Sequence, residues 1–421
     1  MRFLEYPSSA FEKLTQSSQE VPEAIRVQVA RILKAVRRKG DSALLDFTRR
    51  FDGVRLTASK LRVSDAEVRR ARVSRELEQA GKTTLREVSA FARASLPKNW
   101  SRRNGHGAQV GEKFDPIRRV GVYIPGGSVP LVSTVFMTVA LARAAGVKEI
   151  VACTPPPVAP ELLWALRLCG ATEVYRVGGA QAIAAMAFGT RAIERVDKIF
   201  GPGNAYVTEA KRQVFGSVGI DLLAGPSELM VLADESANPA WAATDLLAQA
   251  EHGSGRERIY CASASAAVLK RIQTELFRQA KSRAGNCGLA RVLDEGCFWI
   301  LVRRRGALAE AANCLAPEHL QIMTSNASQL ASRIITAGGI FIGNATPTVL
   351  GDFVAGPSHT LPTAGAGRAF SGLRVGDFMR RTSLVNYSPA ALRKARRQAE
   401  IFAAVERLPA HGDSLRIRFR G

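Results

Sequence analysis

The stretch VGVYIPGGSVPLVSTVFMTVALARAAGVKEIVACTPPP, residues 120–157, decides the fold. A short apolar run (VGVYI) meets a Pro-Gly-Gly turn, a helical pattern (STVFMTVALARAAG) follows, and a second apolar run (KEIVACT) ends in prolines. Strand, helix, strand in that order needs a crossover, so the two strands lie parallel with the helix on one face. The alternation continues through ELLWALRLCG, EVYRVGG, QAIAAMAFG and DKIFGPG. After residue 226 it resumes with LMVLAD, the helix WAATDLLAQAEH, the strand RIYCAS, a long helix from residue 265, CFWILV and later GGIFIG. The expected fold is α/β, with two doubly wound, incomplete Rossmann-like parallel sheets and a boundary near residue 226.

Outward from this block the pattern changes. The first ~115 residues read as mainly helical. Pro22 starts a helix whose apolar positions Ile25, Val29, Ile32, Leu33 and Val36 recur at helical spacing, and Gly40 ends it. Residues 377–421 read as a basic, helix-rich tail whose alternating SLRIRFR resembles an edge strand.

Composition bounds the function. A chain of 421 residues is too long for one ordinary core. The N-terminus lacks a signal-peptide apolar core, and no run approaches the ~18 apolar residues of a membrane helix. A cytoplasmic protein without a membrane partner is expected. The six cysteines are scattered without a CxxC pair, which argues for reduced buried thiols and leaves any metal to nitrogen and oxygen ligands. The formal charge of +22 invites a nucleic-acid reading. The basic residues, however, are spread through helical stretches such as 26–40, 69–77 and 391–400, with no zinc finger or aromatic RNA-binding motif. A solvated Arg-rich surface is the favoured reading, and nucleic acid is not an expected partner.

Ligands of open α/β sheets bind beyond the carboxyl ends of the strands, which directs attention to three glycine loops: YIPGGS (123–128), VGGAQA (177–182) and FGPGNAYV (200–207). Glycine lets the backbone approach a phosphate or ribose, and the following helix offers free N–H groups. The G-x-G-x-x-G fingerprint is absent, and glycines at tight turns alone would read the same way. Three such loops on one sheet edge, carrying Tyr123, Gln181 and Asn204, favour a ligand.

The histidines mark the second half. In DLLAQAEHGSG (245–255), Gln249 and His252 are three apart and share a helix face, whereas Glu251 points elsewhere. GDFVAGPSHTLPT (351–363) adds Asp352 and His359 in a Gly/Pro loop. In LAPEHLQ (315–321), Glu318 and His319 are adjacent, and Pro317 makes the segment turn, so both can serve acid–base chemistry at one site. Alone, His252 reads equally as a C-cap residue, and His411 and His106 as surface histidines. With Gln, His and Asp donors and no thiolates, zinc or manganese is the natural metal.

These motifs together, VGVYIPGGSVP, VGGAQAIAA, VDKIFGPGNAYVTEAKRQV, AGPSE, DLLAQAEHG, APEHL and GDFVAGPSHTLPT, resemble the histidinol dehydrogenase family from about residue 20 to residue 420. The resemblance implies an NAD-dependent, zinc-containing homodimer with a shared active site and one Zn2+ per subunit. It would oxidise L-histidinol to L-histidine through bound L-histidinal, the last step of histidine biosynthesis. Carried over by position, Gln249, His252 and Asp352 would bind the metal together with His411 from the other subunit. Glu318 and His319 would be catalytic, with His319 taking the alcohol proton and Glu318 activating water. Ser227, His359 and Glu406 would contact substrate, in company with His319 and the metal ligands, and Tyr123, Gln181 and Asn204 would contact NAD. The implied organisation is an N-terminal helical segment (1–18), a metal and substrate domain (19–122 and 227–374), an NAD domain (123–226) and a tail (375–421) packing on the partner. The family's relatives include dehydrogenases of other small polar alcohols, yet no position in these motifs is substituted toward them. The +22 charge is unexplained by the reaction.

Overall fold

The structure is a computed structural model and describes residues 2–16, 21–126, 129–252, 254–283 and 287–419. Gly127 and Ser128 of the first glycine loop lie outside the described residues. Strand β1 (Arg2–Tyr6) opens the chain, and a hairpin of β2 (Trp100–Arg103) and β3 (Gln109–Pro116) follows the N-terminal helices. Next come β4 (Arg119–Tyr123), β5 (Glu149–Thr154), β6 (Glu173–Arg176), β7 (Lys198–Phe200) and β8 (Gly219–Ile220). The second series is β9 (Glu228–Ala233), β10 (Arg258–Ser263), β11 (Cys297–Val302), β12 (His319–Met323) and β13 (Gly339–Ile342), and β14 (Met379–Asn386) is the last strand.

Two parallel sheets result, in the orders β6-β5-β4-β7-β8 and β1-β11-β10-β9-β12-β13. The expected doubly wound α/β fold is present, with the changeover between Ile220 and Glu228. Strands of such sheets are covered on both faces, and their alternate residues enter two cores. In the five-stranded sheet Val120, Val122, Ile150 and Ala152 pack to one side, and Val151, Cys153 and Ile199 to the other. In the six-stranded sheet Leu229, Val231 and Trp299 oppose Met230, Leu232 and Ile300 in the same way.

Several expectations are corrected. The first 18 residues are not purely helical: β1 adds to β11 as an edge strand, and Phe11 of the helix Ser9–Gln16 enters the core beneath. The first ~115 residues also contribute β2 and β3, which form an antiparallel sheet with β14. The helices Glu23–Lys39 and Asp41–Asp52 do not join the six-stranded layer. Their residues Val29, Ile32, Leu33 and Leu44 cover one face of the five-stranded sheet. A boundary at 122/123 would cut through β4, the centre of that sheet. A tail starting at 375 is likewise too early, because Val375 and Phe378 are buried in the same layer and Phe378 stacks on Phe200 at 3.9 Å. The segment from 414 is not a strand. It completes the helix Pro409–Arg416 and a 3-10 turn over Ile417–Phe419, and it joins none of the sheets of the described residues. No helix of the described residues is long and apolar enough to cross a membrane.

Candidate active site

A cleft of about 780 Å³ opens between connections of the two sheets. One wall is the loop after β7 and the first turns of the helix Ala205–Val214, and the other is the Leu223–Pro226 segment that leads into β9, closed by Thr363 and Ala364. The five-stranded sheet therefore offers its carboxyl edge, as expected for a doubly wound sheet. The six-stranded sheet offers its amino edge: Glu228 is the first residue of β9, and His319 is the first of the neighbouring β12.

The helix Leu308–Leu315 ends on Ala316 in the left-handed region (φ 51), and Pro317 turns the chain so that Glu318 enters beside His319. Both side chains are buried, with the imidazole Nδ1 3.4 Å from Glu318 Oε2. The backbone of Glu228 holds the two together. Its N–H donates to Glu318 Oε2 at 2.8 Å, and its carbonyl accepts from His319 Nδ1 at 3.0 Å. Burial acts to lower the His319 pKa, but the Glu318 charge, its hydrogen bond, Asp352 and the Glu228 carbonyl prevail and raise it to about 9. The Glu228 carboxyl is buried too and accepts from the Ala364 N–H at 3.1 Å. Burial first, and the Glu318 charge second, raise its pKa to about 7.

The expected metal ligands lie at the same edge. Gln249 occupies the last turn of the helix Pro239–Ala250, buried, with its Nε2 lacking a hydrogen-bond partner. His252 lies beyond the helix end instead of on its face. The turn folds it back so that Nδ1 donates to the Gln249 carbonyl at 3.1 Å, which leaves Nε2 as the free donor atom. Asp352 sits on the short helix Val349–Phe353, not in a loop, and faces His359 Nδ1 at 3.8 Å. Burial lowers the His359 pKa; Asp352 opposes this, and His319, Glu318 and His252 also act on it, so the titratable groups share one field. Glu251 caps the helix and faces Arg283 at 4.0 Å, away from this group. Among the described residues no three His, Cys, Asp or Glu side chains gather into a metal site. Gln249, His252 and Asp352 offer an amide, an imidazole and a carboxylate, donor types that suit a hard or borderline cation. His411 and Glu406 are exposed on the C-terminal helices and do not join these groups within the chain. Ser227 precedes β9 beside the dyad's anchor, and its carbonyl accepts from Arg258 N–H at 3.1 Å.

Of the expected NAD contacts, only Asn204 borders the cleft; its side chain caps the helix Ala205–Val214. Tyr123 and Gln181 are buried. The Tyr123 hydroxyl accepts from Gly179 N–H at 3.1 Å, tying the first two glycine loops together, and burial raises its pKa to about 12. Sequence reasoning missed Glu228. Its signal was present, since it is the acid that opens an otherwise apolar strand, ELMVLA.

The family model for histidinol dehydrogenase matches residues 15–419. The chain belongs to the histidinol dehydrogenase family. A histidinol dehydrogenase of a Synechococcus strain is 41% identical over 396 residues, covering 93% of this chain and 91% of its own. The histidinol dehydrogenase 2 of a Nostoc strain is 43% identical, covering 93% and 92%. The crystal structure of histidinol dehydrogenase from Elizabethkingia anophelis superposes with a TM-score of 0.95 at 33% identity, covering 100% of this chain and 98% of that one. At that likeness the histidinol dehydrogenase fold extends over the whole chain, C-terminal helices included.

Proposed function

We propose that this member of the histidinol dehydrogenase family oxidises L-histidinol to L-histidine in histidine biosynthesis, with NAD as hydride acceptor, one Zn2+ per subunit and L-histidinal held between two oxidations. The observation that carries the reading is the buried Glu318–His319 pair, locked by the backbone of Glu228, whose carboxyl is held by Ala364 in the lining of a cleft bordered by the GPGN loop. The site is completed by a second copy. Ile401, Phe402 and Val405 stand 53%, 64% and 75% exposed on the helix preceding His411, an apolar stripe suited to a homodimer. Gln249, His252 and Asp352 would then hold the metal with the partner's His411, and Glu406 would reach the neighbouring site. The setting is cytoplasmic.

The residues divide the work. Held by Gln249, His252 and Asp352, the metal would supply positive charge beside Asp352, and NAD would serve as hydride acceptor. In the cation-free chain His319 keeps its proton against the Glu318 carboxylate. Neutralising Asp352 removes one of the causes of that raised pKa and brings the imidazole toward its neutral form. Because Nδ1 is held by the Glu228 carbonyl, the neutral ring presents Nε2 to the alcohol proton. In the second oxidation Glu318 takes the proton of the water that adds to the aldehyde carbon. The Glu228 N–H fixes the carboxylate as an acceptor for this role. Ser227, His359 and Glu406 orient the substrate.

The test is a substrate panel. Metal-replete protein is assayed for NADH formation with histidinol and with other small amino alcohols and diols. Preference for histidinol supports the reading, and preference for another diol assigns the chain to a related dehydrogenase.

A further inference from the structure

Lys211 and Asp221 form a buried ion pair, with side chains 3% and 1% exposed. Neither touches the Glu318–His319 group. Both hold one residue, Gly201, at the mouth of the GPGN loop. Asp221 Oδ2 accepts the Gly201 N–H at 2.8 Å, and Lys211 Nζ donates to the Gly201 carbonyl at 2.9 Å. Gly201 has φ +109°, and a side chain there would strike the Tyr123 carbonyl. The loop therefore leaves β7 in a conformation open to glycine alone, with both its backbone groups fixed by opposite charges. The two anchors come from different elements. Lys211 lies on the helix Ala205–Val214, and Asp221 starts the connection whose Leu223–Pro226 form the far wall of the cleft. Thr208, on the same helix, donates to the Ala224 carbonyl at 3.0 Å and adds a second tie across the cleft.

Burying two charges costs desolvation that their attraction barely returns, and apolar residues of similar size serve stability as well or better. What the pair does, and apolar residues could not, is hold a backbone N–H and a backbone carbonyl at once. The cleft beside it is lined by the helix that carries Lys211 and by the connection that Asp221 opens. We propose that the Lys211–Asp221 pair is a positioning device for the dinucleotide. It sets the GPGN loop against Tyr123 and the 222–226 wall, so that the loop amides meet the cofactor's pyrophosphate without rearranging. The inference rests on the NAD site proposed above.

Calorimetric titration of NAD into the full-length wild-type protein, without substrate, comes first. Absence of binding overturns the NAD reading and this inference together. With binding established, Lys211→Met and the double variant Lys211→Met/Asp221→Asn are titrated and thermally melted. The pair's role predicts NAD dissociation constants raised at least about tenfold, with the cofactor KM rising in parallel and the KM for histidinol within about twofold of wild type. A role in stability alone would lower the melting temperature and leave NAD affinity unchanged. Folded variants with wild-type NAD affinity overturn the inference while leaving the NAD reading intact. Failure of both variants to fold assigns the pair to the fold and overturns it as well.

Discussion

Replacing His319 by glutamine is the perturbation that separates chemistry from architecture at this site. Glutamine is near in length and keeps a donor for the Glu228 carbonyl, which His319 Nδ1 now occupies at 3.0 Å. It cannot accept and hold the alcohol proton. Loss of a positioned general base costs about 10²–10⁴-fold in turnover, so kcat should fall by that factor. The stability cost is separate. A pKa raised from 6.5 to about 9 corresponds to about 3 kcal/mol favouring the folded imidazolium. Because the folded pKa is the higher one, that contribution is complete below about pH 6.5 and lost as pH rises through 9. The cation-free variant should therefore be less stable than wild type at pH 6 and nearly equal to it above pH 9. Metal-loaded wild type should gain activity with rising pH along a limb centred below 9, and the variant should lack that limb. Steady-state NADH formation, metal analysis and denaturation at several pH values read all three. Turnover within about threefold of wild type, with the limb retained, would refute the general-base role.

Other consequences follow from neighbouring residues. Glu228, raised from 4.5 to about 7, favours the folded state by about 3 kcal/mol below pH 4.5 and loses that contribution as pH rises through 7. Glu228→Gln should flatten the loss of melting temperature between pH 4.5 and 7 in the metal-free protein; an unchanged slope would place the titration elsewhere. Gly201→Ala puts a methyl group into the Tyr123 carbonyl at a φ of +109° and should destabilise by about 2–5 kcal/mol by chemical denaturation. His252→Ala should lose bound metal and activity together, whereas His319→Gln keeps its metal; retention of full metal content by His252→Ala would remove it from the ligand set. Inactive His411→Ala and Glu318→Gln proteins, mixed under subunit-exchanging conditions, should regain part of the activity, since one site of each heterodimer is intact. No recovery would contradict a shared site.

What the sequence disclosed depended on burial. Strands such as VGVYI, KEIVACT and CFWILV are covered on both faces and so read as continuous apolar runs between turns. The strands missed include edge or open ones, and also the buried interior strand His319–Met323, whose polar His319 and Gln321 break up its apolar run. Arg2–Tyr6 has a single neighbour, and WSRR at β2 is wholly exposed, so neither carries an apolar run. SLRIRFR failed for the opposite reason, because a few alternating residues at a chain end satisfy strand periodicity without a partner edge. The rule that ligands meet carboxyl strand ends found the glycine loops, but it does not apply to the six-stranded sheet. There the PEHL and AGPSE segments feed into their strands from the active-site edge. The Glu318–His319 pair was legible because Pro317 forced the turn. Glu228 was passed over because its backbone, which no residue type advertises, does the holding. His411 could not be placed by any intrachain contact, for within one chain it stands exposed on its own helix.

The most direct test of the central claim is stoichiometric. Purified, metal-replete protein is given a limiting amount of histidinol with excess NAD, and NADH is counted by absorbance against histidine by amino-acid analysis. Two hydride transfers through a retained aldehyde predict two NADH for each histidine, with no free histidinal. One NADH with free aldehyde, or none at all, would contradict it.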